Sequence, residues 1–290
     1  MNDRVTSCDR GALRLADRLL PWGARTYVMG IVNVSPDSFS GDGLPDATTA
    51  VAHALAQLAQ GADLIDVGAE STRPGNTPID AATERARLLP AVAALRAAAP
   101  RAIVSVDTFK AQVYREAHAA GGDLLNSIWG ASDDLIAACV ETASPIVVMH
   151  NKAVAVYERD VVDEVLAFLH DAAHRCTRAG IPAEHVVLDP GIGFGKLPEH
   201  NLALLHALDR LVALGFPTLI GTSRKSTIGK LTGRGVDERA FGTAATVALA
   251  AAAGIDIVRV HDVAEQRDVV RVTDAIVRGW RPDGWTERLP

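Results

Sequence analysis

Two hydrophobic rhythms alternate along the chain. Short runs of consecutive apolar residues recur, each leading into a polar or glycine-bearing stretch and then into a longer segment with helical spacing. Runs at 26–33, 63–68, 102–107, 123–126, 145–150, 186–189, 217–221 and 255–260 predict eight strands buried on both faces. Segments at 47–60, within 80–98, at 110–120, from 133, at 162–179, 199–214, from 225, at 238–253 and 263–278 predict helices. Eight strand–helix units in one chain indicate an α/β fold, a single (β/α)8 TIM barrel. A doubly wound sheet more often stops at about five to seven strands and opens with a glycine fingerprint. The expected organisation is an N-terminal extension at 1–25, a barrel at 26–280 and a tail at 281–290. The extension is polar and basic with scattered leucines and Trp22, the pattern of a short hairpin or helix covering one end.

Composition narrows the partners. With 290 residues, 48% of them hydrophobic, the chain can fill one large core. Its net charge of −6 argues against bulk binding to nucleic acid or anionic lipid. Cys8, Cys139 and Cys176 are odd in number and lack metal-ligand spacing, which fits a reducing compartment. No signal segment opens the chain and no run approaches a membrane span, so the expected location is cytoplasmic.

In such a barrel the chemistry lies at the C-terminal ends of the strands. Just past the last apolar residue of each run stand Asn33; Glu70, Thr72 and Arg73; Asp107 and Thr108; Asn126; Met149 and His150; Asp189; Ser223, Arg224 and Lys225; Arg259 and His261. Arg259 and His261 are two apart, so a strand points them to one side. Taken singly, each has an ordinary explanation. Asn33 could cap a turn, His150 and His261 could be core histidines, Arg73 a surface ion-pair partner and Met149 core filler. Eight such coincidences on one rim favour a site.

The most distinctive stretch is Val186-Val187-Leu188-Asp189-Pro190-Gly191-Ile192-Gly193-Phe194-Gly195-Lys196. A buried strand delivers a carboxylate to the rim and then breaks into a loop whose glycines allow tight turns or close approach to a ligand. Asp107, Asp189 and the amide of Asn126 suit a flat heterocycle edged with N–H donors. Lys225, Arg73, Arg259 and His261 suit a phosphate or pyrophosphate, and the turn at 221–223 offers backbone N–H groups to an anion. Asn33, with water and phosphate oxygens, could hold Mg²⁺. The 191–195 glycine spacing is not a dinucleotide fingerprint, and 221–226 lacks the second glycine of a P-loop. Lys225 as a Schiff-base nucleophile is possible, but Arg224 beside it favours a binding role.

These motifs resemble those of the dihydropteroate synthases, within the pterin-binding superfamily. The resemblance rests on Met29-Gly30-Ile31-Val32-Asn33-Val34-Ser35-Pro36-Asp37-Ser38-Phe39-Ser40, Glu70-Ser71-Thr72-Arg73-Pro74-Gly75, Ser105-Val106-Asp107-Thr108, the 189–196 loop, Ser223-Arg224-Lys225 and Arg259-Val260-His261-Asp262-Val263, in the family's order. It implies condensation of 6-hydroxymethyl-7,8-dihydropterin pyrophosphate with p-aminobenzoate, giving 7,8-dihydropteroate and pyrophosphate for folate synthesis. By similarity Asp107, Asn126, Ile128, Met149, Asp189, Phe194, Gly221, Lys225 and Arg259 form the pterin pocket. Asn33, Thr72, Arg73, Arg259 and His261 would bind pyrophosphate, with Asn33 toward Mg²⁺. Phe39, Thr72, Pro74, Ser223 and Lys225 would shape the p-aminobenzoate site. Asp107, Lys225, Arg259 and His261 are the expected catalytic set, and the family resemblance implies a homodimer.

The sequence also departs from the family. Ser127 stands where an Asp is usual, Gly41-Asp42-Gly43 replaces a glycine pair, and the segment after His150 is short and lacks Gly-x-Pro. These departures raise reduced affinity for sulfonamides, which mimic p-aminobenzoate, as a consequence to test. They also keep a non-catalytic pterin-binding paralogue as an alternative. A methyltetrahydrofolate–corrinoid methyltransferase is the second alternative, although it has little need of Thr72-Arg73-Pro74 or Ser223-Arg224-Lys225. The outer positions Val247, Leu249, Val269, Val272 and Ile276 are expected in the core by default, with a dimer face as the other reading.

Overall fold

The computed structural model describes residues 10–15, 18–35, 43–44, 46–70 and 78–285. A hairpin of β1 (Ala12–Leu15) and β2 (Arg18–Pro21) comes first, then β3 (Tyr27–Asn33), α1 (Ala47–Gln60), β4 (Leu64–Gly68) and α2 (Ala81–Ala98). The alternation continues through β5 (Ile103–Asp107), α3 (Ala111–Ala119), β6 (Leu124–Ser127), α4 (Asp133–Thr142), β7 (Ile146–Met149) and α5 (Val161–Arg178). It ends with β8 (Val186–Asp189), α6 (Pro198–His206), α7 (Leu208–Val212), β9 (Leu219–Ile220), α8 (Ser226–Thr232), α9 (Ala240–Ala253), β10 (Ile257–Val260) and α10 (Val263–Val277). The eight strands β3–β10 are parallel, in the order β8-β7-β6-β5-β4-β3-β10-β9. A parallel bridge between Leu188 and Thr218, with Leu188 N–H donating to the Pro217 carbonyl at 2.8 Å, brings the two ends together. The predicted (β/α)8 barrel is the observed fold.

Local chemistry accounts for the boundaries. Asp46 and Asp80 cap α1 and α2 by accepting from the N–H groups of Thr49 (2.9 Å) and Thr83 (2.7 Å). Asp160 and Ser132 do the same for α5 and α4. The single helix expected at 199–214 is two, because Ala207 leaves helical angles (φ −106°, ψ 27°) between α6 and α7. No turn-forming residue marks that break.

Two apolar layers hold the barrel. The larger lies between the sheet and the surrounding helices and includes Val28, Ile65, Val104, Leu125, Val148, Leu188 and Val258. The smaller fills the barrel interior near the strand starts with Tyr27, Met29, Leu64, Ile103, Leu124, Val147, Val187, Leu219 and Ile257. Leu13, Leu20 and Trp22 from the hairpin segment seal this layer from below. The Trp22 indole N–H donates to the Glu184 carbonyl at 2.9 Å, and its ring meets Tyr27 edge-on at 6.0 Å. Arg10 grips both carboxylate oxygens of Asp256 at 2.5 and 2.9 Å, fixing the segment that leads into the hairpin. The described residues of this segment, 10–15 and 18–22, are therefore a plug.

Trp22→Ala should lower unfolding stability by about 3–5 kcal/mol, the usual cost of emptying a buried aromatic site. A shift of the urea midpoint at unchanged slope would show it.

Candidate active site

Strand period places the polar residues. One turn of pleat above the sealed apolar layer, the same inward faces carry Asp66 after Leu64, Ser105 and Asp107 after Ile103, Asn126 after Leu124, Asp189 after Val187 and Arg259 after Ile257. Val147 is followed by Met149, which keeps this sector apolar. The interior thus changes from hydrocarbon to polar or charged side chains within two residues on five of the eight strands.

Arg259 sits between two carboxylates. Its Nε donates to Asp66 at 2.6 Å and its Nη2 to Asp107 at 3.2 Å. Asp66 is fully buried and also accepts from the Ser105 hydroxyl (2.5 Å) and the Asn126 amide (2.9 Å). Reading each strand only by the residues past its last apolar one misses Asp66. A charge two residues after Leu64, inside a strand (Leu64–Gly68) with no other polar side chain, is the signal that finds it. Burial, and next the repulsion of Asp66, push the Asp107 carboxyl above the usual range, while Arg259 pulls it down. Asp107 Oδ1 is buried and has no hydrogen-bond partner among the described residues. It is an acceptor waiting for a donor.

The glycine loop forms a second group. Asp189 Oδ1 accepts from Gly191 N–H at 2.7 Å, and burial raises its carboxyl to about 6 despite that bond and the nearby Lys225. Gly191, Gly193 and Gly195 all have left-handed φ (70°, 82° and 57°). The bare backbone at Gly191 is required, since a Cβ there would lie 2.0 Å from the His150 carbonyl oxygen. Lys225 Nζ stands 3.9 Å from the centre of the Phe194 ring. Lys196 turns the other way, onto the carbonyls of His150 (3.2 Å) and Phe194 (3.0 Å) and the His150 ring nitrogen Nδ1 (3.0 Å). Burial lowers Lys196 to about 7 and His150 to about 3, so the imidazole is neutral. Of the two readings of His150, the core histidine is the one observed.

Ser223 and His261 are joined. The Ser223 hydroxyl accepts from the His261 backbone N–H at 3.2 Å and lies 2.9 Å from its Nδ1. Buried Ser223 therefore faces His261. Between Ser223 and Lys225, Arg224 adopts a left-handed φ of 57°, which costs a non-glycine residue about 1–2 kcal/mol. Its guanidinium holds Asp262 through Nη2 (2.5 Å) and Nε (3.2 Å), so the turn after β9 is tied to the end of β10. Ile128 and Met149 are both buried, and the Gly130 N–H donates to the Met149 carbonyl at 3.0 Å. A Cβ on Gly221 would stand 3.9 Å from that of Arg259. Ser127, the departure from Asp, is fully buried and donates to the Gly130 carbonyl at 2.5 Å, closing its own turn. Asn33 ends β3, half-buried. Phe39, Thr72, Arg73 and Pro74 lie outside the described residues. Among the described residues no group of three or more His, Cys, Asp or Glu could hold a metal ion.

The family model described as "Pterin binding enzyme" matches residues 29–261, which places this barrel and its polar floor in the class of pterin-binding enzymes. A relative named dihydropteroate synthase from Clostridium beijerinckii is 41% identical over 260 residues, covering 88% of this chain and 96% of its own. The dihydropteroate synthase of Xanthomonas albilineans, solved with 4-aminobenzoic acid, aligns with TM-score 0.86 at 42% identity over 91% of this chain and 97% of that one. That of Thermus thermophilus, solved in complex with 6HMPPP, aligns with TM-score 0.81 at 42% identity over 92% of this chain and 100% of that one. The chain belongs to the dihydropteroate synthase family.

Asp189 links the site to stability. Its folded value of about 6 lies above the ordinary 3.8, so its contribution is intact below 3.8 and is lost as pH rises through about 6. The gap corresponds to at most about 3 kcal/mol. Ligand-free Asp189→Asn should therefore be more stable than wild type at pH 8, with the difference vanishing near pH 4. Denaturant titrations of both proteins across that range check it.

Proposed function

We propose that this chain joins 6-hydroxymethyl-7,8-dihydropterin pyrophosphate to p-aminobenzoate, releasing pyrophosphate and forming 7,8-dihydropteroate for folate synthesis. The observation that carries this reading is the buried Asp107 Oδ1, unpartnered among the described residues, beside Asn126 and in a layer whose other carboxylates include Asp189. A pterin edge offers the N–H donors that such acceptors need. Asp107, Asn126, Asp189 and Lys225 take that edge, with Ile128, Met149, Phe194 and Gly221 around the ring. Asn33, Thr72, Arg73, Arg259 and His261 receive pyrophosphate, and Phe39, Thr72, Pro74, Ser223 and Lys225 shape the p-aminobenzoate site.

The chemistry is a displacement at the pterin methylene. The carbon–oxygen bond breaks and its electron pair leaves on pyrophosphate, toward Arg259 and His261. Positive charge on the methylene is shared with the electron-rich ring and faces Asp107. The aryl amine lone pair closes the carbon–nitrogen bond, and its proton passes to pyrophosphate or water. No covalent enzyme intermediate is needed. The Asn33 amide oxygen, a hard neutral donor, fits a Mg²⁺ ion held chiefly by phosphate and water, and the ion would supply charge neutralisation there.

The methyltransferase reading finds no support among these three relatives, which are synthases. The non-catalytic reading drew on Ser127, whose hydroxyl is engaged within its own turn. With p-aminobenzoate and Mg²⁺, wild type should release pyrophosphate from the pterin substrate, and Asp189→Ala should lose at least about 100-fold in kcat/KM, as expected when a charged group is removed from its ligand. Tight pterin binding without turnover would favour the non-catalytic reading.

A homodimer is part of the same proposal. Val247 is buried and Val269 half-buried, but Leu249 (61% exposed), Val272 (62%) and Ile276 (77%) point outward on α9 and α10. Core is thus the wrong default for these three. An outward apolar stripe on two adjacent helices suits a second copy. Ile276→Glu should shift sedimentation from dimer to monomer. Cysteine usage supports the cytoplasmic reading; Cys139 and Cys176 are buried free thiols. Among the described residues no helix is long and apolar enough to cross a membrane.

A further inference from the structure

Lys225 reaches the site from the short turn after β9. Asn201 ties that turn to the glycine loop. It lies on α6, 2% exposed, and its Oδ1 accepts from Gly193 N–H at 2.8 Å. Its Nδ2 donates to the Thr227 hydroxyl at 3.0 Å, two residues beyond Lys225. Thr227 is also buried. One carboxamide thus joins the loop that carries Phe194 to the first turn of the helix that carries Lys225.

The spacing so fixed is tight. A Cβ on Gly193 would lie 3.0 Å from Lys225 Cδ and 3.4 Å from Nζ, so the lysine stem runs along the bare loop backbone. The ammonium ends over the Phe194 ring. Loop and lysine are therefore a single packed unit, and two hydrogen bonds, one buried and one part-buried, tie it to α6. The Asn201 carboxamide, with an acceptor and a donor on one short stem, makes both without adding a charge. Aspartate could accept from both groups only by bringing a full charge into this buried position, and leucine would leave the Gly193 N–H and the Thr227 hydroxyl without this partner.

We propose that Asn201, acting with Thr227, is a positioning residue that sets Lys225 against Phe194 and so tunes pterin affinity. This rests on the synthase reading of the site. Neither residue touches the ligand. Their effect passes through Lys225.

The test is a double-mutant cycle on ligand binding, read by calorimetry with a 6-hydroxymethylpterin pyrophosphate analogue, below the thermal midpoint of every variant. Thr227→Val keeps the shape of the side chain and removes the hydroxyl; it should weaken binding about tenfold, and Thr227→Ser should restore it. Asn201→Leu should act likewise. In a Lys225→Met background, Thr227→Val should have no further effect on affinity, because the group it positions is gone. Equal weakening with and without Lys225, or a lower melting temperature with unchanged affinity, would overturn the inference. Failure of wild type to bind the analogue would instead overturn the synthase reading, and this inference with it.

Discussion

Everything in the rim depends on a guanidinium held between two buried carboxylates. Arg259 bonds to Asp66 and Asp107 inside a barrel whose lower half is hydrocarbon. Removing three charges from water is costly, and such clusters are seldom the most stable way to fill a core. The arrangement makes sense as preparation. Asp66 commits its oxygens to Ser105, Asn126 and Arg259, whereas Asp107 keeps one oxygen unmatched among the described residues. A ligand that brings N–H groups relieves Asp107 of its repulsion with Asp66 and completes the set. Affinity then comes from a debt already incurred in the empty site.

The strained pieces lie around this cluster rather than within it. Three left-handed glycines let the 191–195 loop press against the carbonyls of His150 and Lys152, closer than any side chain allows. Arg224 takes a left-handed conformation without being glycine, held by its backbone bonds to Thr243 and Arg239 and by its side-chain bonds to Asp262. Both features aim side chains: Phe194 and Lys225 in one case, Ser223 and His261 in the other. Strain of this kind survives only where the surroundings over-determine the backbone.

Much of this architecture is legible in the residues alone. Runs of buried strand residues ending in polar groups mark the barrel and its rim, because parallel strands covered by helices have no exposed face to encode. Asp107, Asn126, Asp189 and Arg259 are legible for the same reason, standing at or near strand ends. Asp66 is not, since attention to strand ends passes over a charge within one. Asn201 is equally hidden: its sequence context is an ordinary helix start, and its function is defined by Gly193 and Thr227, the second of them distant in the chain. The break at Ala207 and the outward turn of Leu249, Val272 and Ile276 depend on packing between helices, which apolar residue type alone does not distinguish from core.

The hairpin segment that closes the barrel floor has a consequence for solvent. Leu13, Leu20 and Trp22 make the interior a well rather than a tube, because the layer they seal is continuous hydrocarbon from strand to strand. Water wetting the charged layer has no drain below it. It must leave through the mouth by which a ligand enters, so filling the site and emptying it of water are one exchange across a single opening.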